Sequence, residues 1–327
     1  MNSFKSYILI FSLILCVMSS GCIHEYPDGN SNDPSGVEVG IELTLDLKWG
    51  EDEMQPNFST RARGDSQLRV VTEVSRNGEI VGHDETFVND EEIKSGKMRR
   101  KLPFQLHAVN YDIAVWCDYY DPTAREGYFD ASDLKAIEHT NPGIEWSEDR
   151  KCGYSKDNLD LRQYKGQWDV RIIKEMALSH AGARFRLITT DMRRFVEEEI
   201  DAIEDGETYT ITVNYGIGTS NFFNAFTGRA LSSYSANSST KPFKPSYTIY
   251  GDMTISEGFI LCDEEEIVTM SVTVHNSARM IVVKSPEFSF KVKRGMISIV
   301  TGEFLSEKFN NNISVNNIWE GEIIIDI

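Results

Sequence analysis

The chain has 327 residues, of which 51 are Asp or Glu and 33 are Lys or Arg, so its formal net charge is -18. An acidic surface of this size repels nucleic acid and anionic lipid, which excludes both as general partners. The length exceeds that of a single β-sandwich, so two domains are expected.

An apolar run opens the chain. Residues 7–18 read YILIFSLILCVM after the positive Lys5, and three small residues, SSG, follow just before Cys22. This run is shorter than the roughly 20 apolar residues that span a bilayer, and it is typical of a signal peptide. The small residues before Cys22 resemble a bacterial lipobox. We therefore predict a lipoprotein signal peptide at 1–21, cleavage between Gly21 and Cys22, and lipid on the Cys22 sulfur; the alternative is a plain secretory signal with an incidental cysteine.

A polar segment follows the lipobox. Residues 22–40 are rich in Pro, Gly, Asn, Asp and Ser. Such a composition cannot bury enough apolar area to offset the entropy of an ordered chain. We expect a flexible tether that separates a folded body from the membrane.

The body is dominated by a period of two. In residues 41–49 the apolar side chains alternate with polar ones, which predicts a strand with one buried face. The same alternation recurs in residues 111–120, 183–190, 209–215 and 268–275. An Asn77-Gly78 pair marks a tight hairpin turn, so the pattern indicates an all-β fold of antiparallel sandwiches.

Two charged stretches interrupt the strands. Residues 59–69, STRARGDSQLR, are typical of a loop and offer Arg61, Arg63 and Arg69 as protease sites, although ordinary solvated arginines give the same pattern. The Arg-Gly-Asp tripeptide inside this stretch is better explained by chance than by integrin binding. The basic run at 94–101 suits lipid headgroups or an acidic neighbouring subunit, but such runs are more often one solvated face.

The strand at 111–120 begins a segment rich in carboxylates and aromatic rings. A glycosidase needs two carboxylates on one sugar bond, but neighbours on alternate strand faces do not converge, and no metal or cofactor motif is present, so we expect no enzyme, no cofactor and no metal. A glycan platform is a further option, with core packing as its alternative. The carboxylates are Asp118, Asp121, Glu126 and Asp130, and the platform would consist of Trp116, Tyr119 and Tyr120.

Helical signals are few. SDLKAIEH predicts a short helix capped by Ser132, and DMRRFVEEEIDAI predicts a second helix with Thr190 or Asp191 as its cap. A fresh strand and helix follow the polar stretch near 164–169, so we place an N-terminal domain at 41–168 and a C-terminal domain at 169–327. No internal repeat is obvious.

Three cysteines, Cys117, Cys152 and Cys262, remain after Cys22, which allows one disulfide or three buried thiols.

Several motifs together resemble the fimbrillin superfamily of Bacteroides-type pili. MALSHAGARFRLITTDMRRF, at 176–195, is similar to the opening of the superfamily's second domain. Residues 291–327 resemble its closing pair of strands, and YDIAVWCDYYD followed by GYFDASDLKAI resembles the central strand and short helix of its first domain. The lipobox, the tether and the strand at 41–49 match its N-terminal order.

The resemblance implies two transthyretin-like sandwich domains and a place in a pilus. Polymerising members lose an N-terminal strand after cleavage at an arginine and accept a strand from the next subunit, whereas anchor members keep strand and lipid. We therefore expect an outer-membrane fimbrial anchor or minor subunit whose partners are fimbrial subunits and a host or bacterial surface ligand. The alternative is a glycan-binding surface lipoprotein. The strand open to exchange presents Ile41, Leu43, Leu45, Leu47 and Trp49.

Overall fold

The computed structural model describes residues 38–47, 66–140, 150–167, 169–215, 220–232, 238–243, 245, 251–306 and 314–319. The predictions for the signal peptide, its cleavage site, Cys22, the tether before residue 38, Trp49, Arg61 and Arg63 lie outside these residues.

Short strands, three short α-helices and one 3-10 helix make up the described part of the chain. The first part contains β1 (Glu38–Asp46), β2 (Gln67–Arg76), β3 (Glu79–Phe87), α1 (Asp90–Ser95), β4 (Lys97–His107), β5 (Asn110–Asp121), β6 (Glu126–Gly127), β7 (Phe129–Asp130), β8 (Ile137–His139), β9 (Cys152–Asp160), a 3-10 helix (Arg162–Tyr164) and β10 (Val170–Ala177). The second part contains β11 (Ser179–His180), β12 (Gly182–Thr189), α2 (Met192–Glu198), α3 (Ile200–Glu204), β13 (Tyr209–Tyr215), β14 (Ser220–Asn224), β15 (Arg229–Ser232), β16 (Ser238–Phe243), β17 (Met253–Leu261), β18 (Glu265–Asn276), β19 (Ile281–Lys284), β20 (Phe288–Lys293), β21 (Met296–Gly302) and β22 (Ser314–Trp319).

The strands form four sheets. Sheet 1 has the order β10-β1-β4, and sheet 2 has the order β11-β9-β5-β2-β3 with β6 beside β5. Sheet 3 runs β22-β21-β12-β17-β14-β8-β7 with β15 on β14, and sheet 4 runs β16-β13-β18-β19 with β20 also on β18. The all-β prediction is confirmed. Two pairs, β1 with β10 and β12 with β21, are parallel rather than antiparallel, which long connections between the paired strands permit.

Each pair of sheets encloses a core. Sheets 1 and 2 form the first sandwich around the alternating apolar residues of β1, β2 and β5, among them Leu43, Val70 and Ile113. Sheets 3 and 4 form the second sandwich around residues such as Phe185 and Val272. The period of two in the sequence therefore produces the buried face of each sheet.

A third core joins the two sandwiches. The rings of Trp116 and Phe129 lie 5.4 Å apart, and those of Tyr154 and Phe223 lie 4.8 Å apart, between sheets 2 and 3. The Arg294 side chain reinforces this contact, since its Nη1 donates to the Tyr154 hydroxyl at 2.7 Å. Strands also cross over, because β7 and β8 join sheet 3 while β11 pairs with β9 in sheet 2.

The two sandwiches repeat the same strand order. In sheet 1, β1 lies between parallel β10 and antiparallel β4; in sheet 3, β12 lies between parallel β21 and antiparallel β17. The order β3-β2-β5-β9 in sheet 2 likewise matches β16-β13-β18-β20 in sheet 4. The sequence shows no such repeat, because different apolar side chains satisfy the same alternation.

Most of the strands predicted from the sequence are present. The strands predicted at 111–120, 183–190, 209–215 and 268–275 are confirmed as β5, β12, β13 and β18. Asn77 and Gly78 connect β2 to β3 with φ of 52° and 85°, the left-handed geometry of a tight hairpin turn.

The predicted helix after Ser132 is wrong. Residues 132–136 form bends and turns that lead into β8. The Ser132 amide donates to the Asp130 side chain, and the Leu134 amide donates to the buried carboxylate of Glu73 at 3.1 Å. The Asp130 side chain thus holds the segment in a local turn, and Glu73 attaches it to β2.

The second predicted helix is divided into α2 and α3. Asp191 begins α2, but its carboxylate does not cap it. That carboxylate instead accepts the Thr189 hydroxyl and the Leu305 amide, the latter at 3.0 Å. Asp191, which the local sequence indicates as a helix cap, thus binds a residue more than 100 positions later in the chain.

The segment after residue 168 packs with the first sandwich. β10 pairs with β1, and Met176 belongs to the first core. A domain boundary between residues 168 and 169 instead assigns β10 to the C-terminal domain. Cys117, Cys152 and Cys262 are buried and form no disulfide with one another, which agrees with the alternative of three buried thiols.

Candidate functional site

β1 is the central strand of sheet 1. Eight of its residues pair with β10, from Val39 with Val170 to Asp46 with Ala177, and eight pair with β4. Both neighbouring strands come much later in the chain, so no hairpin joins β1 directly to either. We call the position between β4 and β10 the strand slot.

The inner face of β1 fills the first core. Its five alternating apolar side chains are 0–1 % exposed: Val39, Ile41, Leu43, Leu45 and Leu47. Burial of each such side chain contributes about 1.5–3 kcal/mol, so the strand contributes on the order of 10 kcal/mol, as an upper bound. Without β1, the slot would be an open apolar groove with unpaired backbone on both sides.

The far end of β1 is held by backbone bonds. The Leu47 amide donates to the Gly96 carbonyl at 2.9 Å, and the Leu178 amide donates to the Asp46 carbonyl at 3.3 Å. Gly96 ends α1 with φ of 70°, a left-handed conformation that glycine adopts without strain. The turn between α1 and β4 therefore closes one end of the slot.

The basic run at 94–101 forms a solvated face. Lys97, Arg99 and Lys101 alternate along β4 and are exposed on the outer side of sheet 1. Arg99 lies 2.6 Å from Glu42 on β1, so the acidic and basic residues of the two strands pair across the sheet. Such exposed pairs contribute little to stability.

A buried ion pair lies beneath an open cleft in the first sandwich. Arg69 Nε and Nη2 donate to the two Asp118 oxygens at 2.9 Å and 2.8 Å, and Nη2 also donates to the Phe129 carbonyl. The guanidinium carbon lies 4.2 Å from the centre of the Tyr120 ring. The pair thus ties β2 and β5 of sheet 2 to β7 of sheet 3.

The charges of the pair act on each other. Burial raises the pKa of Asp118, and the charge of Arg69 and its hydrogen bonds oppose that rise. Burial acts to lower the pKa of Arg69, but the charge of Asp118, its hydrogen bonds and the charge of Glu85 together outweigh burial, so the pKa is raised. The guanidinium therefore stays charged, and it depends on Asp118 for its neutralisation.

The cleft above this pair has a volume of about 950 Å³. It brings together most of the carboxylates and aromatic residues that the sequence places near 118–130. Its lining includes Arg69, Glu85, Tyr120, Asp121, Arg125, Glu126, Tyr128 and Asp130. We call it the polar cleft.

The structure excludes two options that the sequence leaves open at this site. The platform of Trp116, Tyr119 and Tyr120 does not form, because alternation along β5 sends Trp116 into the third core at 0 % exposure and Tyr119 into the first at 2 %. Arg69 does not lie in a loop; it is in β2 and is 5 % exposed, so it is not an accessible protease site. The pairing of Arg69 with Asp118, 49 residues apart, has no local sequence signal.

No group of three or more His, Cys, Asp or Glu side chains within the described residues could hold a metal ion. Among the same residues, no helix has both the length and the apolar character needed to cross a membrane.

The model of one protein family, a family of unknown function named DUF6562, matches residues 33–327. No curated protein matches the chain.

Several solved structures are similar to the chain at low identity. The fimbrial anchor protein Mfa2 from Porphyromonas gingivalis is 10% identical, with 86% of this chain and 98% of that chain covered and a TM-score of 0.49. A candidate cell adhesion protein from Parabacteroides distasonis is 11% identical, with coverages of 89% and 99% and a TM-score of 0.47. A candidate polysaccharide-binding protein from Bacteroides thetaiotaomicron is 10% identical, with coverages of 88% and 99% and a TM-score of 0.45.

Proposed function

The chain belongs to a family of unknown function, DUF6562, and we propose that within it this protein is a structural, non-catalytic component of a cell-surface pilus. In this proposal, lipid on Cys22 holds the protein at the outer membrane, where it acts as a fimbrial anchor or minor subunit. Its partners are other fimbrial subunits, which join by β-strand addition.

The observation that carries this proposal is the placement of β1 in the strand slot. A strand that hydrogen-bonds on both sides and fills a core with alternate side chains is the element that strand addition supplies from another chain. Here those side chains are Val39, Ile41, Leu43 and Leu45 of β1 and Leu47 directly after it, all buried. The remaining fold would offer a groove of matching shape.

The retained β1 suits an anchor or an uncleaved precursor. With the slot filled by the chain's own strand, no neighbouring subunit can enter it. Cys22 lies 16 residues before Glu38, so lipid on Cys22 and a seated β1 would hold the body within roughly 55 Å of the membrane. Loss of β1 by cleavage would instead create a polymerising subunit.

N-terminal analysis of the protein from cells tests the proposal. We expect a lipidated Cys22 as the first residue, and we expect Cys22→Ala to release the protein from the membrane fraction and from the pili at the cell surface. Ser19→Ala serves as the matched control, because it keeps a small residue in the signal peptide. Unchanged membrane retention of Cys22→Ala would rule out the lipid anchor. A first residue after Arg61 or Arg63 would show a polymerising subunit instead.

The polar cleft favours glycan binding as a second candidate function. Its mixture of carboxylates, guanidinium groups and tyrosines suits the hydroxyls and ring faces of a saccharide better than it suits an apolar ligand. We expect Glu126→Gln to weaken binding to a glycan array, because Glu126 lines the cleft. Glu79→Gln, an exposed change in β3 outside the lining, should leave binding unchanged. The absence of any glycan binding by the unaltered protein would remove this candidate.

A further inference from the structure

The parallel pairing of β1 and β10 determines how a pulling force would pass through the molecule. The tether enters β1 at Glu38, and β10 leaves the pair at Ala177, from which the chain continues directly into β11 and β12. In a parallel pair, the first residue of one strand and the last residue of the other lie at opposite ends. A force between the tether and the second sandwich is therefore directed along the strands.

Force along the strands loads the whole ladder at once. Eight residue pairs join β1 to β10, from Val39 with Val170 to Asp46 with Ala177, and their backbone bonds share the load. On its other side, β1 is held by eight pairs with β4. Detachment of β1 requires these bonds to break together rather than one after another.

The side chains of β1 oppose sliding as well. A shift by one residue would turn Val39, Ile41, Leu43, Leu45 and Leu47 from the core to the outer face. The closed end adds resistance, because the Leu47 amide is bound to the Gly96 carbonyl and the Leu178 amide to the Asp46 carbonyl. The register is thus held by both backbone and core.

Force in another direction would meet less resistance. Glu38, at the start of β1, pairs with His107, at the end of antiparallel β4. A force that separates these two ends opens the ladder from one side, so each pair bears the load in turn. The same strand can therefore be strong or weak, depending on where the force is applied.

We propose that β1 and β10 form a mechanical clamp that resists force between the N-terminal tether and the second sandwich. The use of this clamp by a cell rests on the proposed pilus function, since a lipid-held pilus component is pulled between these two points. The clamp itself is a property of the folded chain. It makes β1 a load-bearing element as well as the strand that fills the slot.

Optical-tweezers measurements on the mature chain with Cys22→Ser test the clamp. One handle is attached at the N-terminus, and the second at a cysteine introduced either by Arg193→Cys on α2 or by Asn110→Cys at the start of β5. Both positions are exposed. The first arrangement pulls along β1 and β10, and the second opens β1 from the end paired with β4.

We expect the first rupture to need about twofold higher force in the Arg193→Cys arrangement at equal loading rate, because its backbone bonds break together. Equal or lower force in that arrangement would overturn the clamp.

A cross-link provides an internal control. Thr44 and Arg99 are paired across β1 and β4, so Thr44→Cys with Arg99→Cys can form a disulfide on the outer face of sheet 1. In the Arg193→Cys arrangement we expect the first rupture of the oxidised form to need a higher force. The first rupture of the reduced form should again need the force measured without the cross-link. An unchanged first rupture would show that β1 does not bear the load. These measurements use purified protein, so their failure leaves the membrane result for Cys22→Ala unaffected.

Discussion

The buried pair of Arg69 and Asp118 allows a quantitative test of how sheets 2 and 3 are held together. Asp118→Asn keeps the shape of the side chain but removes its charge. The amide oxygen of the new side chain can still accept from Arg69 Nε. The amide nitrogen, however, then faces Arg69 Nη2 at about the present 2.8 Å, so two donors oppose each other. The guanidinium remains charged and loses its main partner.

The expected cost follows from this geometry. Removal of one partner from a fully buried pair typically costs 3–5 kcal/mol, roughly, because the other charge is left uncompensated. Glu85 lies 3.6 Å from Arg69 Nη1 and offsets part of that cost. We therefore expect Asp118→Asn to lower the free energy of unfolding by about 3 kcal/mol.

Urea unfolding of the mature chain with Cys22→Ser, followed by tryptophan fluorescence at pH 7, measures this change. The matched control is Asp121→Asn, where the amide oxygen can still accept the Thr123 and Ala124 amides, so we expect a change below about 0.5 kcal/mol. The double change Arg69→Met with Asp118→Leu should recover most of the stability. A value for Asp118→Asn equal to that of the control would refute the assignment of Arg69 and Asp118 as a mutually dependent pair.

Two further changes test other buried features. Burial raises the pKa of Glu266 from 4.5 to about 7, so the stability gained from its protonation is full below pH 4.5 and is lost as the pH rises through 7. After allowance for solvent screening, Glu266→Gln should therefore stabilise the protein by about 1–2 kcal/mol at pH 8 and not at pH 4. Equal effects in unfolding experiments at both pH values would contradict this expectation. A Cβ on Gly182 would lie 2.3 Å from the Ile260 carbonyl oxygen, so Gly182→Ala should cost about 3 kcal/mol in urea unfolding. Gly251→Ala, with no atom within 4 Å of its Cβ, should have little effect, and a similar loss for both would show that strand contact is not the cause.

The strands could be predicted from the sequence because their cause is local. Alternation in the residues of β12, β13 and β18 is the direct result of one face being buried, so a period of two identifies each strand without knowledge of its neighbours. The Asn77-Gly78 turn is local for the same reason, since its left-handed geometry depends on those two residues.

Contacts between distant segments could not be predicted in this way. Asp191 has the sequence of a helix cap, yet its carboxylate binds the Leu305 amide, and the turn after Ser132 is attached to the distant Glu73. For the aromatic residues of β5 the sequence leaves a platform and core packing both open, because alternation does not reveal that both faces of β5 are covered. In each case the deciding partner lies tens of residues away, or more than a hundred.

The crossing of β7 and β8 into sheet 3 has a consequence for synthesis of the chain. The ribosome completes residues 129–139 before β14 and β17, the strands that with them enclose the third core, and the last of these ends at Leu261. At typical elongation rates, this interval lasts on the order of 10 s. During that time the paired strands β7 and β8 have no further strand of sheet 3 to join, and the aromatic surface around Trp116 stays uncovered. A nascent chain of this protein therefore exposes apolar surface until its second part arrives.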